Sequence, residues 1–168
     1  FDRWVPLEED LPMIHASWHE ANAWCRWARR RLPTEAEWEL AATAGAEGPK
    51  RRYPWGAEPA GPERANLDAV HPGCRPAGCL EAGESRHGVR GLLGDVWEWT
   101  SDAFEPFPGF ARDPYRDYSF PWFGSHKVLR GGAWPSRSRL VRNGYRNYAL
   151  PHRRDLFVGF RTCSSGNP

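Results

Sequence analysis

The stretch Gly94-Asp95-Val96-Trp97-Glu98-Trp99-Thr100, together with Leu129-Arg130-Gly131-Gly132-Ala133-Trp134 and Gly159-Phe160-Arg161, constrains this chain more than any other feature. Each segment combines large aromatic or charged side chains with glycine, a combination that a generic core does not need. Ten tryptophans and 14% aromatic residues exceed what packing alone requires. Much of the core must therefore be aromatic, with its indole nitrogens hydrogen-bonded. Seventeen glycines and sixteen prolines are spread along the chain instead of clustered, which predicts many turns and modest regular secondary structure. At 168 residues the whole sequence, 1–168, reads as a single domain.

Charge excludes some functions. The net charge is only +2, with arginine dominating the basic residues and Lys50 and Lys127 the only lysines. The most basic segment, 137–154, is interrupted by apolar residues, so nothing points to nucleic acid. No apolar run reaches the length of a membrane span and no signal peptide is recognisable, so the expected location is cytoplasmic. The sequence starts at Phe1, and the expectation is that it is the C-terminal part of a longer protein. Cys25, Cys74, Cys79 and Cys163 are too few and too irregular for a disulfide scaffold. Cys74 and Cys79 flank a Pro/Gly loop, and free thiols, a bridge or a shared metal all remain open for them.

Local signals place two helices. Ser17-Trp18-His19-Glu20 is a capping box, predicting a helix over about 18–30 with Ala21, Trp24, Cys25 and Ala28 on its buried face. Thr34-Glu35-Ala36-Glu37 repeats the device and predicts a second helix to about Thr43, stopped at Gly45. From there to roughly Gly91 the chain is aperiodic and rich in Pro and Gly, a length of loop that is functional or pinned when found inside a compact domain. Short strands are expected over 96–100, 127–130 and 158–161. The predicted class is α+β, with two helices packed on small antiparallel sheets.

The ordered motifs Arg31-Leu32-Pro33-Thr34-Glu35-Ala36-Glu37-Trp38-Glu39, Tyr53-Pro54-Trp55-Gly56, Ala65-Asn66-Leu67-Asp68, Gly94–Thr100, Leu129-Arg130-Gly131-Gly132 and Gly159-Phe160-Arg161 resemble the formylglycine-generating-enzyme (sulfatase-modifying factor) superfamily. The resemblance covers nearly the whole chain and implies that superfamily's loop-rich variant of the C-type lectin fold. True formylglycine generators hold copper through two cysteines just after Arg-Gly-Gly. Residues 133–141 here contain none, and serine oxygens are too hard to replace thiolates at Cu(I), so sulfatase activation is disfavoured.

Further motifs, among them Asp113-Pro114-Tyr115-Arg116-Asp117-Tyr118, His126-Lys127-Val128-Leu129-Arg130-Gly131-Gly132, Tyr145-Arg146-Asn147 and Arg153-Arg154-Asp155, look like the C-terminal half of the ergothioneine-type sulfoxide synthases. That resemblance implies a non-haem iron(II) enzyme joining a thiol to a trimethylated histidine-like substrate through an oxidised C–S bond. In it, the three His ligands come from a preceding helical bundle and the lectin-like half binds the substrates. Carried onto this sequence, Tyr115, or else Tyr118, matches the catalytic tyrosine. Asn147 and Arg153 match residues that hold the two substrates, with Trp134, Tyr145, Tyr148 and Ala149 on the same expected substrate face. A guanidinium suits a carboxylate, an amide suits an imidazole or carboxylate, and a phenol suits proton or hydrogen-atom donation. Bland alternatives stand beside each: an ion pair for Arg153, a turn role for Asn147, packing for Tyr115.

His15 and His19 are four apart, but Ser17 as N-cap leaves His15 outside the helix, and His71, His87, His126 and His152 form no ligand-spaced group. Iron is thus expected only through an N-terminal domain outside this chain. By resemblance, Asn66 and Glu98 match ligands of a structural calcium, although Gly91 stands where a third ligand is usual; the alternative for Glu98 is a buried partner for an arginine. The chain departs from the synthase pattern at Pro135-Ser136 and at Ala149, Leu150 and His152. This leaves a competing binding module that resembles the variable proteins of diversity-generating retroelements. Such proteins diversify the segment corresponding to Ala133 through Val158 and bind a protein ligand without catalysis. A degenerate member kept only for interaction is a third alternative.

Overall fold

The computed structural model describes residue 4 and residues 6–43, 50–115 and 117–166. The first helix, α1, spans Trp18–Trp27. Its capping box forms as the sequence predicts: Ser17 Oγ accepts from the Glu20 N–H at 3.2 Å, and the Ser17 N–H donates to Glu20 Oε2 at 2.8 Å. The helix stops short of residue 30 because Arg29 takes a left-handed conformation (φ 53°), which turns Arg30–Arg31 into a short strand, β1. Ala21 and Cys25 are buried as expected, but Trp24 is exposed at the rim beside Phe160, so the apolar face is narrower than the spacing suggests.

The second helix, α2, spans Glu35–Thr43, and the expected stop at Gly45 falls outside the described residues. Thr34 Oγ1 accepts from the Glu37 N–H at 3.1 Å while Glu37 Oε2 accepts from the Thr34 N–H at 2.8 Å, and Arg31 grips the same carboxylate with both ends of its guanidinium at 2.6 Å. Hydrogen bonding to Arg31, then to the Thr34 amide, pulls the Glu37 carboxyl down to about 2 from 4.5. A group with a depressed folded-state pKa stabilises the fold above its unfolded value and ceases to do so as pH falls through the folded one. Because Glu37 is half exposed, screening limits the effect to below about 1 kcal/mol. Urea midpoints measured from about pH 5 down to about pH 2 should therefore fall less steeply in Glu37→Gln than in the wild type, and parallel acid limbs would remove Glu37 from the account.

Strand β2 (Trp97–Ala103) pairs antiparallel with β3 (Lys127–Arg130), and β3 pairs antiparallel with β4 (Asn147–Ala149). The other edge of β2 takes β5 (Val158–Gly159) in parallel, and β6 (Cys163–Ser164) closes a separate antiparallel pair with β1. The main sheet is therefore mixed, a correction to the all-antiparallel expectation. Once β3 occupies one edge of β2, the returning chain has only the other, and it arrives in the same direction, with the Trp97 N–H donating to Phe157 O at 2.9 Å.

Period-two alternation explains the Trp-Glu-Trp motif. Trp99 is buried with Ala21, Cys25, Leu32, Leu129, Ala149 and Val158 beneath α1, and its indole donates to Ala16 O at 2.7 Å. Glu98 points the other way, toward Trp38 of the second cluster, formed by α2 and the 53–93 loop. Protein contacts hold that loop: the Asp68 and Ala69 N–H groups donate to Ser136 O and Trp134 O, and Asp68 Oδ1 accepts from the Ser138 N–H. In Arg-Gly-Gly, the Arg130 side chain is fully buried against Glu35, Glu39 and Asn143 O, over the Trp38 ring. Gly131 (φ 97°) approaches Leu92 O so closely that a β-carbon would overlap it.

Candidate functional site

Asn147, the first residue of β4, stands where two clefts meet. One, of about 470 Å³, is walled by Phe107, Phe110, Tyr118, Phe123, Tyr145 and Tyr148, with Arg142 and Arg146 beside them. The other, of about 340 Å³, lies between Trp97, Ala133, Pro135, Ser136, Asp155, Leu156 and Phe157. Asn147 lines both. Its Oδ1 accepts from the Tyr148 N–H at 2.9 Å, which fixes the amide and leaves its NH2 group to donate to a ligand. A groove of about 520 Å³ on the α1 side, between Met13, Trp24 and Phe160, contains none of the residues matched to catalysis, substrate or calcium.

The expected residues separate into those the fold gathers and those it does not. Tyr118 lines the aromatic cleft, whereas Tyr115 lies outside both clefts, its N–H donating to Asp113 Oδ1 at 2.9 Å. Tyr148 stacks on Phe104 at 4.2 Å and meets the His126 ring edge-on at 5.4 Å. Tyr145 packs on Trp97 at 5.7 Å, and Trp134 packs on Phe157 at 5.0 Å behind the second cleft. Arg153 is gripped bidentately by Asp155 at 2.8 and 2.5 Å, and this pulls the Asp155 carboxyl down to about 2. Ala149 is 2% exposed and packs in the α1 cluster, lining neither cleft.

His126 was not singled out by sequence, since it has no ligand-spaced partner. The fold places it between the Trp122 and Tyr148 rings, with Nδ1 2.9 Å from Ser125 Oγ. Burial pushes its pKa down, against the raising effect of the Trp122 backbone and with a smaller push from the Arg153 charge. Burial also pushes the Tyr148 phenol up, with Tyr118 nearby adding to the effect.

The metal expectations divide. Among the described residues no group of three or more His, Cys, Asp or Glu side chains is placed to hold a metal. Cys25, Cys74, Cys79 and Cys163 are free, and burial pushes the Cys74 thiol up to about 11. Both Glu98 oxygens are taken: Oε2 accepts from Trp38 Nε1 at 2.7 Å and Arg161 Nε at 2.5 Å, and Oε1 from Arg161 Nη2 at 2.6 Å. Arg161 Nη2 also donates to Gly91 O at 2.9 Å. A guanidinium thus occupies the oxygen-lined position that a calcium at Glu98 would need, and the residues do not fit that ion. Asn66 belongs to a separate network, its Nδ2 donating to Gly73 O and Asp95 Oδ1 at 2.8 Å while its buried Oδ1 has no partner among the described residues.

Two helices on small sheets, a long pinned loop and a cleft-bearing final third define a C-type lectin-like fold of the formylglycine-generating-enzyme type. The chain belongs to the sulfatase-modifying factor enzyme 1-like domain family, whose model matches residues 4–165. Within that family it is 45% identical over 159 residues to hercynine oxygenase of Mycobacterium tuberculosis, a match covering 94% of this chain and 37% of that protein. It is 42% identical over 170 residues to the formylglycine-generating enzyme of Streptomyces coelicolor, covering 93% of this chain and 53% of that one. Variable protein 1 of Treponema denticola shares the fold, with a TM-score of 0.70 at 22% identity over 91% of this chain and 70% of its own. The chain therefore spans 37% of one curated relative and 53% of the other.

Proposed function

We propose that this chain is the substrate-binding part of an iron(II)-dependent sulfoxide synthase that joins a thiol to a trimethylated histidine-like substrate. The observation that carries the proposal is Asn147, fixed by its own strand and shared by two adjacent clefts. Two clefts meeting at one donor suit two small substrates that must be brought together, and such positioning is itself a large part of catalysis. The likeness to hercynine oxygenase over 94% of the chain supports the same reading.

In this reading the Asn147 NH2 group orients a substrate imidazole or carboxylate. The Tyr118 phenol supplies a proton or hydrogen atom from the cleft wall, and the His126 ring braces Tyr148. Iron(II), held by a part of the protein outside this chain, supplies dioxygen activation when bound. Copper chemistry of the formylglycine-generating type is not proposed, because residues 133–141 lack thiolates. The proposed setting is the cytoplasm; no described helix is long and apolar enough to cross a membrane.

The test is sulfoxide formation by the full-length protein. Loaded with Fe²⁺ and given O2, trimethylated histidine and either cysteine or γ-glutamylcysteine, it should yield a sulfoxide detectable by mass spectrometry, and residues 1–168 alone should not. A fully loaded protein that yields none overturns the proposal. A binding module without chemistry draws support from one observation: Pro135, Ser136, Tyr145 and Tyr148, all in the segment where that reading puts diversity, line these same clefts. A near-identical template repeat and a reverse transcriptase beside the gene would favour it.

A further inference from the structure

Two arginines, Arg142 and Arg146, line the aromatic cleft, and Arg153 pairs with Asp155 of the second cleft. Arg146 is held by Glu35 at 2.7 and 2.8 Å and by Glu105 O at 3.0 Å, with its guanidinium against the Phe104 and Phe107 rings. Arg142 lines the aromatic cleft and makes no ion pair or side-chain hydrogen bond among the described residues. Its backbone is nevertheless fixed, because Val141 and Asn143 on either side are buried. Asn143 Nδ2 donates to Ala42 O and Arg51 O at 3.1 Å, and its N–H donates to Arg52 O at 2.9 Å. Among the described residues no carboxylate lines this cleft, so Arg142 shares it with aromatic rings, Ser119, Asn147 and the already paired Arg146.

We infer that Arg142 recognises the carboxylate of a small organic acid whose flat or apolar body lies among the aromatic walls. The planar fork of arginine pairs with a carboxylate through two parallel hydrogen bonds, and a guanidinium on a fixed backbone loses little freedom in doing so. The assignment deepens the proposed function and rests on it for the identity of the substrate. It moves carboxylate recognition from Arg153, whose fork is already filled, to Arg142.

Calorimetric titration of the full-length protein with two probes, imidazole-4-propionate and its amide, isolates the carboxylate. The wild type should bind the acid about 10- to 100-fold more tightly than the amide, Arg142→Gln should bind both equally, and Arg142→Lys should keep part of the preference. An unchanged unfolding midpoint in Arg142→Gln is expected for so exposed a side chain and separates lost recognition from lost folding. Equal binding of acid and amide by the wild type, no binding of either, or a preference that survives Arg142→Gln and disappears in Arg153→Gln each overturns the inference. Absence of sulfoxide product with the acid preference intact overturns the proposed function alone.

Discussion

Arg161→Met is expected to destabilise the protein by about 3–5 kcal/mol, because it leaves the Glu98 carboxylate buried without its counter-charge. Five hydrogen bonds go with the guanidinium: two to Glu98, one to Gly91 O and two longer ones to Arg90 O. Only Trp38 Nε1 remains on the carboxylate. The outer edge of Arg161 is reached by water, so the low end of the range is expected. Pairing it with Glu98→Gln should return part of the loss, since a neutral amide still accepts from Trp38 and no charge is stranded. Urea unfolding with a constant m-value is the measurement. A single-variant loss below about 1 kcal/mol would mean that the pair does not tie β2 to the chain end. Millimolar calcium should leave the wild-type midpoint unchanged, the site being filled from within.

What the sequence reveals here depends on how local the cause is. Both capping boxes were legible because a cap is decided within four residues, and β3 was legible because turn residues bound it on both sides. The early end of α1 was not, since it comes from the left-handed Arg29 and from β1 pairing with β6 more than a hundred residues away. Parallel pairing of β5 is also a tertiary outcome, set by which edge of β2 is vacant. The candidate site followed the same rule. Asn147 and Tyr148 were found by resemblance and do line a cleft, and the Arg153–Asp155 pair is two residues apart and was anticipated as an alternative. Arg142 and His126 lie in motifs that carry the resemblance, but no role attaches to either from the sequence. They matter because the 104–123 segment folds back on β4, with the Gly124 N–H donating to Phe104 O and the Phe104 N–H to His126 O. Ala149 lies in the core although Asn147 and Tyr148 just before it line a cleft, a difference that nothing local to the sequence marks.

Tyr118→Phe in the iron-loaded full-length protein is expected to lower turnover to sulfoxide by about 100-fold or more with KM little changed, the range for losing a positioned proton donor. Tyr115→Phe should stay within about twofold. The distinction rests on where the loop puts each phenol. Ser119 takes a left-handed conformation (φ 63°) and starts the short turn Phe120–Trp122, which returns the chain toward β3. Phe123 then packs on Phe104 at 5.0 Å and on Phe110 at 5.2 Å. Tyr118 and Tyr115 are equally exposed, but only Tyr118 lines the cleft, near enough to Tyr148 to help push its phenol up, while Tyr115 lies outside it with its N–H donating to Asp113 Oδ1. The turnover ratio of the two variants therefore reads the loop directly. A large loss in Tyr115→Phe with Tyr118→Phe near wild type would mean that the loop adopts a different arrangement in the complete protein. Equal large losses would mean that both phenols reach the substrates there.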